Sequence, residues 1–154
     1  LKLKPLEKIM SEASSETTPK WFMIVAGILL VWNLFGVMAY IMQVTMSPEA
    51  LAALPEAQRQ LYETTPAWAT AAFAVAVNGG TLGCLLLLLK RNLAGIFLQL
   101  SLAGVLVQMF HSFFISNAYD VFGPGGTVMP VMVLVIAIYL VFLAAKAKAN
   151  RWTS

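Results

Sequence analysis

Apolar residues gather along the chain into four runs, and the gaps between them hold nearly all of the charge. The runs cover residues 21–43, 66–89, 93–115 and 128–145. A helix that crosses roughly 30 Å of hydrocarbon needs about 20 apolar residues. Three runs exceed that length and the fourth falls just short of it but within the spanning range, and the pattern predicts an all-α integral membrane protein with four transmembrane helices in an antiparallel bundle. Only Lys90, Arg91 and Asn92 join the second run to the third, a link short enough to demand a helical hairpin, with Asn92 placed to cap the third helix.

The polar gaps carry start and stop signals of their own. Ser47-Pro48-Glu49 reads as a helix start, with a capping serine, proline at the first helical position and an early acid. Pro55 breaks that helix, so the first long loop holds two short pieces whose Leu51, Leu54, Leu61 and Tyr62 form an amphipathic segment at the membrane surface. Thr65-Pro66 repeats the cap-and-proline start for the second span. Gly123-Pro124-Gly125-Gly126 marks a turn before the fourth span, which tolerates Pro130 near its start.

Residues 1–20 form a Ser-, Thr- and Glu-rich tail expected to be disordered, and residues 146–154 a basic tail, leaving 21–145 as the membrane domain. Met10 directly precedes the Ser/Glu tract, so the first nine residues are set aside as a remnant or an upstream extension.

Composition agrees with the pattern: 60% of the 154 residues are hydrophobic and 11% charged, against roughly 25% charged in soluble domains. The net charge of +3 invites thoughts of nucleic acid until the charges are placed. Of ten Lys and Arg residues, nine fall in the two tails or the Lys90-Arg91 turn, while Arg59, Glu49, Glu56, Glu63 and Asp120 lie in the other loops. That asymmetry predicts both termini in the cytoplasm and explains the basic balance without a nucleic-acid partner. Trp21 and Trp152 then mark the inner interface, and Trp68, Phe113, Phe114 and Tyr119 the outer one. One cysteine and one histidine exclude an internal disulfide and the usual zinc spacings, and no cofactor is expected.

Polar residues inside the spans are the candidates for function. Asn33, Gly36, Tyr40 and Gln43 share a face of the first helix, and Ser101, Gly104, Gln108 and His111 a face of the third. Asn33 and Asn78 lie half way along their spans and are expected to bond each other, because an amide in hydrocarbon is costly without a partner. Gly79, Gly80 and Gly83, continuing Ala72 and Ala76, form a ridge on which another helix packs closely, within the chain or across an oligomer. His111 is the one side chain in any span of a type whose unperturbed charge change falls near neutral pH. Met38, Met42, Met46, Met109, Met129 and Met132 are core fillers first and soft metal or haem ligands beside His111 second. No Asp, Glu, Lys or Arg lies within a span, and no hydrolase triad or phosphate loop is present, so an enzyme is not expected.

The stretches Trp32-Asn33-Leu34-Phe35-Gly36-Val37, Pro66-Ala67-Trp68, Gly79-Gly80-Thr81-Leu82-Gly83 and Tyr119 to Gly126 together resemble a group of small four-helix bacterial inner-membrane proteins. Members of that group often carry the label sugar transporter. The resemblance implies a bacterial inner membrane and a four-helix fold, and it supplies no catalytic or substrate residues. The function expected first is association in the bilayer, as a homo-oligomer or with a partner membrane protein. A small-solute transporter lined by Asn33, Tyr40, Gln43, Asn78, Gln108 and His111 comes second, and a quinone- or metal-binding redox accessory third.

Overall fold

The structure, a computed structural model, describes residues 17–154, with Pro5 the sole described residue before them. The disorder expected of the tail before residue 17 lies outside the described residues. Four helices among them are long and apolar enough to cross a membrane, and no strand occurs there. Helix α1 covers Lys20–Val44, α2 Pro48–Ala52, α3 Glu56–Thr64, α4 Ala67–Leu88 and α5 Ala94–Phe110. A π-helical turn, His111–Ile115, extends α5; then come α6 (Ala118–Phe122), a 3-10 turn (Pro124–Thr127) and α7 (Val128–Ala149).

The tightest packing joins α4 to α5, along a seam of small residues. A Cβ on Gly104 would stand 2.7 Å from Ala72 O and 2.8 Å from Ala76 N, and one on Gly79 3.0 Å from Phe97 O. A Cβ on Gly83 would overlap the Leu98 side chain. Only glycine lets the backbones come this near. The Ser101 hydroxyl uses the closeness to donate to Ala76 O at 2.6 Å across the seam. The glycine ridge is thus spent inside the chain, on α5 and on α1, and offers no free surface to a second molecule.

Helix α1 packs on α4 through Asn33, Gly36 and Tyr40. The Asn33 amide lies against Gly80, whose missing Cβ leaves room for it, and Gly36 faces Val77. Tyr40 sets its ring edge-on to Phe73 at 5.6 Å. Helix α7 packs on α5, with Ala137 and Val105 buried against Ala76. Helices α1 and α7 meet at one pole, where Phe22 and Ala26 are buried with Leu143, Ala144 and Ala147. There Trp21 stands edge-on to Trp152 at 5.7 Å and Lys146 lies over the Trp21 ring at 5.3 Å.

The same basic pole contains the α4–α5 turn. Lys90 and Arg151 both take the left-handed conformation, with φ of 56° and 57°, and each closes its helix by the hydrogen-bond pattern of a Schellman cap: Arg91 N to Leu86 O at 2.8 Å, Trp152 N to Ala147 O at 2.8 Å. Residues expected to form a loose basic tail instead continue α7 to Ala149 and then fold onto the turn. Ser154 N donates to Lys90 O at 2.8 Å and Asn92 N to Ser154 O at 3.0 Å. Thr153 Oγ1 donates to Asn92 Oδ1 at 2.7 Å. Asn92 therefore does not cap α5 with its side chain, because its oxygen is taken by Thr153.

At the opposite pole the Ser47 cap forms as expected, its Oγ accepting from Ala50 N at 3.2 Å. That hydroxyl and a backbone N–H hold the Glu49 carboxyl below its usual pKa, the backbone bond contributing more. Pro55 separates α2 from α3 as its missing N–H requires. Thr65 differs from expectation: its hydroxyl donates back to Leu61 O at 2.6 Å, closing α3 rather than opening α4. Along α3, Arg59 pairs with Glu56 and, at 3.8 Å, with Glu63.

Gly104→Ala is expected to destabilise the bundle by about 1–3 kcal/mol, the usual cost of forcing a methyl into a filled seam. Gly95→Ala, which meets nothing within 4 Å, should leave stability unchanged or raise it. Unfolding midpoints of both variants in mixed micelles check the pair.

Candidate functional site

Helices α1 and α7 part as they leave the basic pole, and a cleft of about 320 Å³ lies between them over the α4–α5 layer. Its walls are apolar: Trp32, Phe35 and Ala39 on α1, Met129, Pro130, Val133, Ile136 and Ala137 on α7, Phe73 and Val77 on α4. Asn33 and Ser101 also line it, and the donor groups of both are already engaged. Asn33 Nδ2 donates to Leu29 O at 2.8 Å and reaches Cys84 Sγ at 3.6 Å, while Ser101 is held by Ala76 O. The cleft also reaches Gln108 and Ser112.

Gln108, Ser112 and Phe73 also line a second cavity of about 170 Å³ at the loop pole. This one is polar. Gln43 enters it from α1, Tyr62 and Thr65 from α3 and its end, His111 and Ser116 from the π-turn and its end. No fully enclosed side-chain nitrogen or oxygen among the described residues lacks a partner, so the amides of Gln43 and Gln108 and the ring nitrogens of His111, which bond to no described group, face the space of the pocket. His111 as a whole is 6% exposed, and Trp68 stands edge-on to its ring at 5.2 Å.

The π-helical turn begins at His111, with Ser116 N bonded to His111 O at 2.9 Å across five residues. Such a turn lodges one more residue than an α-turn, and it is found often at functional sites. Asn117, at φ 53°, ends it. No Asp, Glu, Lys or Arg lines either cavity. A neutral, hydrogen-bonding pocket and an apolar cleft therefore lie side by side, with Phe73, Gln108 and Ser112 lining both.

Of the residues expected at a site, Asn33, Gln43, Gln108 and His111 come together here. Tyr40 lines neither cavity and packs on Phe73. Asn78 is not bonded to Asn33: it is exposed on the far side of α4 and donates to its own Ala74 O at 2.8 Å. The cause is helical phase, since Gly80 and Cys84 occupy the face of α4 turned to α1, and Asn78 falls about a third of a turn or more away from each. No methionine lines the pocket that holds His111; Met109 and Met129 line the cleft instead, and the described residues hold no group of three His, Cys, Asp or Glu side chains suited to a metal ion. Trp32, Phe73 and the Val133, Ile136 and Ala137 wall of α7 carry no polar signal and are not legible as site residues from sequence, while Tyr62, read there only as part of the surface segment, also lines the pocket. Trp32, next to Asn33 in the W-N-x-x-G stretch, was the one visible pointer.

No protein-family model, curated protein or solved structure matches the chain.

Cys84 is fully buried beside the Asn33 amide. A membrane-permeant maleimide should label it only after unfolding, and Asn33→Ala should raise the native labelling rate; mass spectrometry of timed samples reads both.

Proposed function

We propose that this chain binds a small, uncharged amphiphile from within the bilayer, holding its polar head in the loop-pole pocket and its apolar body in the cleft between α1 and α7. The adjacency of the two cavities, with Gln108 lining both, carries this reading. A head that both accepts and donates hydrogen bonds is answered by Gln43, Gln108, His111 and the Ser112 hydroxyl, while the absence of any charge in the lining disfavours an ion. A free sugar fits poorly, because its many hydroxyls would meet Val133, Ile136 and Ala137 in the cleft. Handling such a molecule, as a binding or transfer protein of the membrane, suits the geometry better than association alone.

The orientation goes with this proposal. Among the described residues Lys20, Lys90, Arg91, Lys146, Lys148 and Arg151 share the basic pole, which supports an antiparallel bundle with both ends in the cytoplasm. The pocket then opens on the outer side, under an amphipathic α3 lying at the membrane surface with Leu61 and Tyr62 turned to the pocket. The bilayer that the sequence resemblance implies is a bacterial inner membrane.

Binding is tested with decanol as a neutral amphiphile and decanoate as its charged counterpart, in lipid nanodiscs, by the fluorescence of Trp32 and Trp68. Decanol should bind and decanoate should not. Gln108→Leu should weaken decanol by about three- to tenfold, the effect of one net hydrogen bond, and Val133→Phe should abolish binding by filling the cleft. Equal binding by both variants and the unaltered protein defeats the proposal.

A further inference from the structure

The α4–α5 layer has two sides. One carries α1, α7 and the cleft; the other is bare. Helical spacing places Val75, Asn78 and Leu82 on one stripe of α4, opposite the residues that meet α1, and Leu100, Ala103 and Val107 on the adjoining stripe of α5, turned from α7. Val75 is 46% exposed, Leu82 45%, Leu100 51% and Val107 45%. All are apolar except Asn78.

Asn78 stands at the middle of α4, the deepest point of the hydrocarbon, and is exposed. One of its N–H groups is spent on Ala74 O. Its Oδ1 and its second N–H bond to no described residue. Acyl chains offer neither donor nor acceptor, so these groups are satisfied by another protein surface or not at all. Its neighbour Gly79 is turned the other way, into the seam with α5, where a Cβ would stand 3.2 Å from Ser101 N.

We infer that a second copy of this chain packs on this bare face, with the two Asn78 carboxamides paired across a two-fold axis. A carboxamide is both donor and acceptor, so identical amides related by two-fold symmetry answer each other, oxygen to N–H and N–H to oxygen, with no other residue needed. This is the residue's chemistry deciding the occupant, because an unlike partner would have to supply its own matched group at the same depth. The dimer uses none of the cleft-lining residues, leaves the cleft open to lipid in each copy, and stands whether or not an amphiphile binds there.

The test uses the full chain, labelled through Ala149→Cys and reconstituted in phosphatidylcholine vesicles at falling protein-to-lipid ratio. Energy transfer above chance proximity and linear in acceptor fraction is expected, the signature of a dimer. Asn78→Leu should raise the dissociation constant by about three- to thirtyfold, the range for one interhelical amide interaction in a bilayer, and Asn78→Gln should recover most of the loss. Because Asn78 is exposed and hydrogen-bonds only to its own helix within the chain, the unfolding midpoint, read at a protein-to-lipid ratio low enough that the unaltered protein is monomeric, should not move in Asn78→Leu, which separates lost association from lost folding. Transfer at chance level for the unaltered protein overturns the proposal, as does an unchanged dissociation constant in Asn78→Leu. Loss of a different co-purifying membrane protein from Asn78→Leu, with self-association intact, overturns it as well and gives the face to that protein.

Discussion

Close approach of the α4 and α5 backbones is the contact on which the rest of this molecule depends. Inside a bilayer, burying an apolar side chain gains little, because lipid is as apolar as the protein it would leave. Helices hold together there by van der Waals contact at short range and by polar bonds that lipid cannot replace. Gly79, Gly83 and Gly104 supply the first and Ser101 the second. With that layer made, α1 rests on Gly80 and Val77 at one edge and α7 on Val105 at the other, both on the same side, and the space they leave between them is the cleft.

Hydrophobic patterning made the number and length of the helices legible, since four apolar runs bounded by charge admit few other arrangements. The loop chemistry was partly legible: Ser47 and Pro55 act locally, and their effects follow from neighbours in sequence. Asn92 and Thr65 have equally good local signatures, but tertiary partners took Asn92 for Thr153, and the preceding turn took Thr65. Residues of the polar pocket were recognisable because amides and a histidine are rare in lipid. The apolar walls of the cleft were not, for Val133 on a cavity wall and Val135 on the lipid face differ by helical phase relative to a partner that sequence does not name.

Asn33 and Asn78 show the same limit in one residue type. Both are amides at mid-span, both donate to the carbonyl four residues before them, at 2.8 Å in each case. Asn33 is turned inward, where Gly80 makes room and Cys84 accepts weakly, while Asn78 is turned to lipid. Composition and depth are equal, and the difference is the rotation of each helix about its own axis. That rotation is set by where the glycines lie, so the small residues decide which amide becomes glue within the chain and which is left over.

The joining of α1 and α7 at a single pole has a mechanical meaning. Two rods clasped at one end by Trp21, Phe22 and Trp152, and supported below by a rigid layer, behave as a pair of tongs. The gap at their free ends follows from how each rod seats on its own support, α1 on Gly80 and Val77 and α7 on Val105, so a small change of either seat is magnified along the lever into a change in the width of the cleft.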